Sequence, residues 1–203
     1  MGTMTGTQIS AAVRILCSDN GATKRYEDDV HLVWLNDAVR ALCAFHPEES
    51  STLLTIELDD GPWQTLPASV QRMLKPVRNM GADGATPGSL VFFCSPETLD
   101  RLDPGWHVGT PAQVVQNVLY DPSLDARRFL VYPPSPGGYY IQALCATMPT
   151  EMAALSETIH VSDRYANALQ AYMMFRYFST DAEDASNAQA AEAYYKLFTA
   201  EAA

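Results

Sequence analysis

The predicted fold of this chain is organised around the stretch from Asn117 to Met148, NVLYDPSLDARRFLVYPPSPGGYYIQALCATM. It alternates runs of β-forming residues with two clusters of turn residues, at positions 121–125 and 133–138. Proline fixes φ and lacks an amide donor, and glycine accepts positive φ, so we expect each cluster to end a strand and reverse the chain. The pattern predicts an antiparallel meander of three strands, Val114–Tyr120, Arg127–Tyr132 and Tyr139–Thr147.

The residues before this stretch also favour strands. A run of β-formers at Ser51–Leu58 ends at Asp59-Asp60-Gly61, a turn signal, and Trp63–Leu66 is expected to pair back with that run as a hairpin. Two more strands are predicted at Leu74–Asn79 and Ser89–Cys94. Ser95 followed by Pro96 then has the pattern of a helix N-terminus, which predicts a short helix.

Both ends of the chain have helical periodicity instead. Apolar residues recur every three or four positions in Thr7–Cys17, in a second helix from Asp28 or Asp29 to Phe45, and from Ser162 to about Ser179. The capping-box pattern of residues 180–183 predicts the start of a last helix. The fold class is therefore α+β: within one domain, residues 7–47 and 162–200 form a helical bundle, and residues 48–161 form a β-rich insertion.

The third long helix has no clean polar face, because residues 171–178 read AYMMFRYF. Such a helix is either enclosed by its own chain or covered by another subunit. The last helix ends with a similar aromatic group. The candidate interface residues are Tyr172, Met173, Met174, Phe175, Tyr177, Phe178, Tyr194, Tyr195 and Phe198.

Asp37 is the one carboxylate predicted to lie inside the apolar stripe of the second helix, between Trp34 and Ala41. A carboxylate in that position must be paired or hydrogen-bonded for the helix to pack. It is either a catalytic group or a structural partner for an arginine, a tyrosine hydroxyl or a helix N-terminus. We expect the structural role, because buried polar groups are usually satisfied within the fold.

Composition bounds the function. The 203 residues include 13 basic and 24 acidic ones, a net charge of −11, which argues against gripping nucleic acid through its phosphates. A protein of this charge can still surround DNA and let it slide. The four cysteines and four histidines are scattered without ligand spacing, so no metal site or cofactor is expected. No apolar run is long enough to predict a membrane span.

Four segments, taken together and in order, resemble the head-to-tail connector (adaptor) proteins of tailed bacteriophages. Their order and spacing carry the resemblance, and together they cover most of the chain. The segments are RILCSDNGATKRYEDDVHLVWLNDAVRAL (Arg14–Leu42), ETLDRLDPGWH (Glu97–His107), LYDPSLDARRFLVYPPSP (Leu119–Pro136) and DRYANALQAYMMFRYFSTDAEDASNAQAAEAYY (Asp163–Tyr195).

This resemblance implies a structural virion protein with no catalytic residue and no cofactor. Such adaptors form a homo-oligomeric ring, commonly of twelve copies, that docks beneath the portal protein at the neck between capsid and tail. The ring extends the DNA channel, through which DNA passes without sequence-specific binding, and offers a platform to the next neck or tail protein. The protein would accumulate in the host cytoplasm during assembly, and the candidate interface would meet a neighbouring subunit or the portal.

Two alternatives remain open at this point. One is another structural protein of the phage neck or tail, such as a stopper or a tube-end protein, which only the identity of its partner distinguishes from an adaptor. The other is a small cytosolic enzyme whose site converges only in space and uses Asp37 and His107. A ring would appear as a large homo-oligomer, whereas the enzyme need not oligomerise.

Overall fold

A computed structural model describes residues 2–180 and 184–203. The chain divides into two compact units. The helical unit consists of Met1–Ser50 and Pro149–Ala203, and the sheet unit consists of Ser51–Met148. The predicted α+β class, with helices from both ends of the chain flanking a β-rich middle, is confirmed.

The described residues form five α-helices and five strands. The helices are α1 Gly6–Leu16, α2 Asp28–Phe45, α3 Pro96–Leu102, α4 Ala166–Ser179 and α5 Ala185–Glu201. The strands are β1 Ser51–Thr65, β2 Val70–Asn79, β3 Phe92–Phe93, β4 Asn117–Leu119 and β5 Arg128–Thr147. All helices except α3 lie in the helical unit, and all strands lie in the sheet unit.

In the helical unit, α4 is the central element and packs against α1, α2 and α5. Its core includes Leu35, Leu42, Leu169 and Met173, which are fully buried. Burying one such side chain contributes about 1.5–3 kcal/mol. The apolar periodicity of these helices therefore corresponds to real core-facing stripes.

Two predicted helix starts need revision. The helix expected to begin after Ser162 is first a 3-10 turn, Asp163–Tyr165, and α4 begins only at Ala166. Ser162 does not cap it with its side chain; its backbone N–H donates to Glu49 Oε2 at 2.8 Å. The capping box predicted at residues 180–183 lies largely outside the described residues. The helix α5 starts at Ala185, where Asp184 accepts a hydrogen bond from the backbone N–H of Ser186 at 2.8 Å.

In the sheet unit, β5 is the central strand and is 20 residues long. It pairs antiparallel with β1 along one edge, while β2 and β4 pair antiparallel with the C-terminal and N-terminal parts of its other edge. The short β3 runs parallel to β4. Just before β3, Leu90 forms a β-bridge with Arg78 of β2, which links this end of the sheet back to β2. The core between them includes Ile56, Met73 and Phe129.

Two of the three chain reversals predicted for the strands are wrong. The reversal at residues 121–125 is confirmed, because Val118 of β4 lies opposite Val131 of β5. The reversal at residues 133–138 does not occur, and neither does the hairpin across residues 59–61. Both clusters lie inside long strands and pair with each other, with Asp60 opposite Pro136.

A buried side chain explains why the chain does not turn at residues 59–61. Gln64 is 2% exposed, and its Oε1 accepts from Asp59 N at 2.7 Å. Its Nε2 donates to Asp59 O at 2.9 Å and to Gly61 O at 3.0 Å. Gly61 and Gly137 have φ of 93° and 79°, so glycine's conformational freedom is used for β-bulges in continuing strands rather than for hairpins.

Candidate assembly surfaces

The aromatic side chains of α4 and α5 pack against one another in pairs. α4 contributes one ring to each pair and α5 contributes the other, spaced so that each ring meets its partner along the helix hairpin. The ring-centroid distances are 5.6 Å for Phe178–Tyr194, 5.1 Å for Tyr172–Phe198 and 5.1 Å for Phe175–Tyr195. Aromatic pairs at these distances add about 0.5–1.5 kcal/mol beyond their buried area.

The helical unit's own packing covers most of the candidate interface residues and leaves one of them exposed. Four of its residues are at most 5% exposed and belong to the unit's own core: Met173, Met174, Tyr177 and Phe198. Four more are half-buried along the contact of α4 with α5: Tyr172, Phe175, Phe178 and Tyr194. Tyr195 is 45% exposed, as is its neighbour Leu197, which is not one of the candidate interface residues.

Asp37 lies half-buried on α2 between two guanidinium groups. It forms an ion pair with Arg40 one turn along α2 and a second with Arg176 of α4, at 3.2 Å. Arg40 also contacts Glu151 at 2.6 Å. The hydrogen bond that Arg40 donates to Asp37, helped by the Coulomb attraction of Asp37 and Glu151, raises the pKa of Arg40. This arrangement ties α2 to α4 and occupies both oxygens of the Asp37 carboxylate.

His107 lies in the other unit. It is exposed in the 3-10 turn Trp106–Val108, with its ring 4.8 Å from that of the buried Trp106. The Trp106 indole N–H donates to Asp100 at 2.8 Å, which fixes the turn on α3. The local geometry of each residue is thus that of a structural contact, Asp37 in the helical unit and His107 in the sheet unit.

A buried polar cluster on α1 and α2 was not anticipated from the sequence. Ser10 Oγ and His31 Nδ1 are 2.9 Å apart, and Arg14 forms ion pairs with Asp19 at 3.0 Å and Asp28 at 2.8 Å. His31 is fully buried, and its Nε2 has no hydrogen-bond partner among the described residues. Burial, followed by the charge of Arg14, lowers the pKa of His31 to about 4. The only sequence signal was a histidine on the apolar face that carries Trp34.

The sheet unit carries two exposed apolar grooves that the sequence analysis also missed. One, of about 340 Å³, is lined by residues that include Trp63 and Leu124, which are 61% and 86% exposed. The other, of about 260 Å³, is lined by residues that include Leu53, Leu90 and Phe92, which are 50–59% exposed. Each groove joins residues from different strands, so only the strand pairing could reveal it.

Residues 2–180 and 184–203 contain no group of three or more His, Cys, Asp or Glu residues that could hold a metal ion. No helix in that part of the chain is long and apolar enough to cross a membrane. All four cysteines are free, and burial raises the pKa of Cys17 and of Cys145 to about 11.

The features that stand out are packing surfaces: a half-covered aromatic seam and two apolar grooves. Comparison with known families gives the class, because a phage adaptor family matches residues 4–203, nearly the whole chain. The chain belongs to the SU10 adaptor protein family. It is a phage head-to-tail adaptor by family, a structural protein rather than a member of a known enzyme family. A comparison with curated proteins gives no match.

Proposed function

We propose that this protein forms a homo-oligomeric ring, of twelve copies, beneath the portal protein in the neck of the virion. The ring extends the DNA channel and offers its far side to the next neck or tail protein. It assembles from free chains in the host cytoplasm. The observation that carries the proposal is the family match over residues 4–203, which leaves no large part of the chain for another role.

The surface of the helical unit supports this proposal. Tyr195 and Leu197 are exposed on α5, and the half-buried rings of Tyr172, Phe175 and Tyr194 lie on the same pair of helices. Exposed aromatic residues beside a packed apolar seam are typical of protein–protein interfaces. We assign this surface to contacts with a neighbouring subunit or with the portal.

The charge of the chain fits a channel. A net charge of −11 repels the DNA backbone, so a lumen built from this protein lets a duplex pass without holding it. The ion pairs of Asp37 with Arg40 and Arg176 hold α2 and α4 together against the repulsion between the acidic residues of the chain. Their role in the proposal is structural.

Native mass spectrometry of the purified chain, alone and mixed with the portal ring of the same phage, tests the proposal. A stoichiometric ring bound to the portal supports it and gives the copy number. A chain that ignores the portal but binds a later neck or tail component would identify a stopper or tube-end protein instead. Binding to neither would contradict an assembly role at this position.

The matched variants are Tyr195→Ser on the exposed face of α5 and Thr52→Ser on an exposed position of β1. Tyr195→Ser is expected to weaken ring or portal binding by about tenfold or more, since exposed aromatic residues often dominate interfaces. Thr52→Ser should bind as the parent chain does. If both variants bind equally well, α5 is not part of the interface, but the proposed ring still stands.

A further inference from the structure

Strand β2 presents a row of basic side chains on one face of the sheet. Its pairing with β5 shifts register three times, so that every third residue of β2 lies opposite every second residue of β5. Because alternate residues of β5 point to the same face, the residues of β2 opposite them share a face as well. The basic residues Arg72, Lys75 and Arg78 lie opposite Ala146, Leu144 and Gln142.

These three residues have no acidic partner within the chain as described. None of Arg72, Lys75 and Arg78 forms an ion pair with any residue in 2–180 or 184–203. Arg72 and Lys75 are exposed, and Arg78 is half-buried. In a chain with 24 acidic residues and 13 basic ones, three neighbouring cations without partners form an unusual surface.

The same face carries exposed apolar side chains. Lys75 lies opposite Leu144 of β5, which in turn lies opposite Leu53 of β1. These three residues, with Leu90 and Phe92, line the groove of about 260 Å³. One end of the face is covered by the turn at Gly84, where a Cβ would lie 3.4 Å from the ring of Tyr140. We call the exposed part of this face, formed by Arg72, Lys75, Leu53, Leu90 and Phe92, the basic–apolar face.

The helical unit has the complementary character. It contains 15 acidic and 7 basic residues, a formal charge of −8, whereas the sheet unit contains 9 acidic and 6 basic residues, a charge of −3. On α5, the exposed Tyr195 and Leu197 lie near Glu192, which pairs with Lys196 at 2.7 Å, and near the exposed Glu201. The helical unit, which is the more acidic of the two units and exposes apolar side chains, therefore matches a basic and apolar sheet surface.

A closed ring of identical subunits requires such a pair of unlike surfaces. Each subunit must join its neighbour head to tail, so the two surfaces that meet come from different parts of the chain. We propose that the basic–apolar face of one copy binds the helical unit of the next copy in the ring. This inference rests on the ring that is proposed above and assigns its subunit interface.

Duplex DNA is the competing occupant. The cations lie opposite every second residue of β5. Residues two apart on a strand are about 6.6–6.8 Å apart, so the row sets its cations at intervals that match phosphates along a DNA strand. The apolar part of the face argues against DNA, because a duplex backbone offers nothing apolar to cover Leu53, Leu90 and Phe92. A protein surface covers both parts.

Zero-length carbodiimide cross-linking tests the contact directly, because Lys75 is the only lysine of the sheet unit. The ring is assembled on the portal from an equal mixture of ¹⁴N and ¹⁵N chains, and mixed-isotope peptides identify links between copies. The expected product joins Lys75 to a carboxylate in residues 1–50 or 149–203 of another copy. Links from Lys75 only to the sheet unit or to the portal, or no mixed-isotope link, would overturn the proposal.

Charge reversal measures the contribution of the row. Arg72→Glu with Lys75→Glu is compared with Arg101→Glu with Arg128→Glu, which changes the net charge equally at two other exposed positions of the sheet unit. The first pair is expected to raise the concentration for half-assembly on the portal by at least about tenfold, and the second by much less. Circular dichroism confirms that both variants fold.

The outcomes separate this inference from the proposed function. If the parent chain forms no ring on the portal, the proposed function fails and the interface fails with it. If the parent and both variants form rings equally well, the ring stands and the assigned interface is wrong. If the Arg72/Lys75 variant assembles normally but its ring loses binding to a labelled duplex, the row contacts DNA and the subunit proposal is overturned.

Discussion

The helical unit and the sheet unit differ in how far apart in sequence their contacts are made. In the helical unit, residues three and four apart define each core-facing stripe, so the stripe is visible in a short window of sequence. In the sheet unit, β1 and β5 pair across an interval of more than sixty residues, with Ser51 opposite Ala146 and Thr65 opposite Arg128. The turn residues inside β1 and β5 favour a reversal, but the pairing of the two strands opposes it. A short window of sequence does not reveal that pairing. Local sequence signals therefore predict the helices, whose core-facing stripes are local, and fail inside strands that pair over long intervals.

Removing a core aromatic residue in each unit should have the largest effect. Phe129 in the sheet unit and Phe198 in the helical unit are each 1% exposed. We expect Phe129→Ala and Phe198→Ala each to lower the free energy of unfolding by about 3–5 kcal/mol, through lost burial and the cavity left behind. Urea denaturation followed by circular dichroism measures the loss.

Phe92→Ala, at a site 59% exposed, is the control and should change stability by no more than about 0.5 kcal/mol. A cost at Phe129 far below that at Phe198 would show that the two units differ in packing as well as in the range of their contacts.

The buried histidine should make the helical unit alone sensitive to mild acid. In the unfolded chain His31 binds a proton near pH 6.5, whereas burial lowers its pKa to about 4 in the folded chain. Stability from the neutral ring is therefore complete above pH 6.5 and falls as the pH drops to about 4, by roughly 3 kcal/mol. Urea midpoints measured between pH 7 and pH 4 test this.

The matched variants are His31→Gln, which should flatten the pH dependence, and His160→Gln at an exposed site, which should leave it unchanged. Arg14, Asp19, Asp28 and Lys24 also contribute to the field at His31, so the slope is read as a difference between variants. Hydrogen exchange should place the acid-induced opening in the helical unit. Opening confined to the sheet unit would contradict the assignment.

Gln64 tests whether a side chain holds the bulge that replaces the predicted hairpin. Gln64→Leu puts an apolar side chain of similar length in place of the amide and removes three hydrogen bonds to the backbone of Asp59 and Gly61. We expect a loss of about 1–3 kcal/mol, because the freed backbone groups lose their partners. Gln113→Leu, at an exposed position, is the control for the urea measurement. An unchanged midpoint for Gln64→Leu would mean that strand pairing alone sets the bulge.

The smallest effect is expected at Asp37. Asp37→Asn removes the charge between Arg40 and Arg176, whose side chains are each 39% exposed. The expected loss is about 1 kcal/mol at low salt and less at 1 M salt, since partly exposed ion pairs are screened. Glu151→Gln should cost less still, because among residues 2–180 and 184–203 Glu151 forms an ion pair with Arg40 alone. A larger loss of unfolding free energy that is independent of salt would contradict this expectation. It would indicate that Asp37 makes stabilising interactions besides its ion pairs with Arg40 and Arg176.

Much of the helical unit was predictable from its sequence. Trp34, Ala38 and Leu42 follow the helical period and are at most 5% exposed, although Val33 and Phe45 of the same predicted stripe are 55% and 49% exposed. The need of Asp37 for a partner was also apparent, but its partner Arg176 lies on another helix far along the chain. The only sequence signal for the buried pair of Ser10 and His31 was a histidine on an apolar face, and a short stretch of sequence does not show which residue such a histidine contacts.

The amino-acid sequence was enough to predict the α+β class, the helix periodicity, the strong negative charge and the resemblance to phage adaptors. These depend on composition, on residues close together in the chain and on the order of short segments. The tertiary structure decided that residues 59–61 and 133–138 continue strands, since β1, β5 and the buried Gln64 satisfy their backbone groups. It also decided which aromatic residues stay accessible on α5 and which cations align on β2. Those properties depend on pairing between distant segments, and the free energy of that pairing outweighs the local preference for a turn.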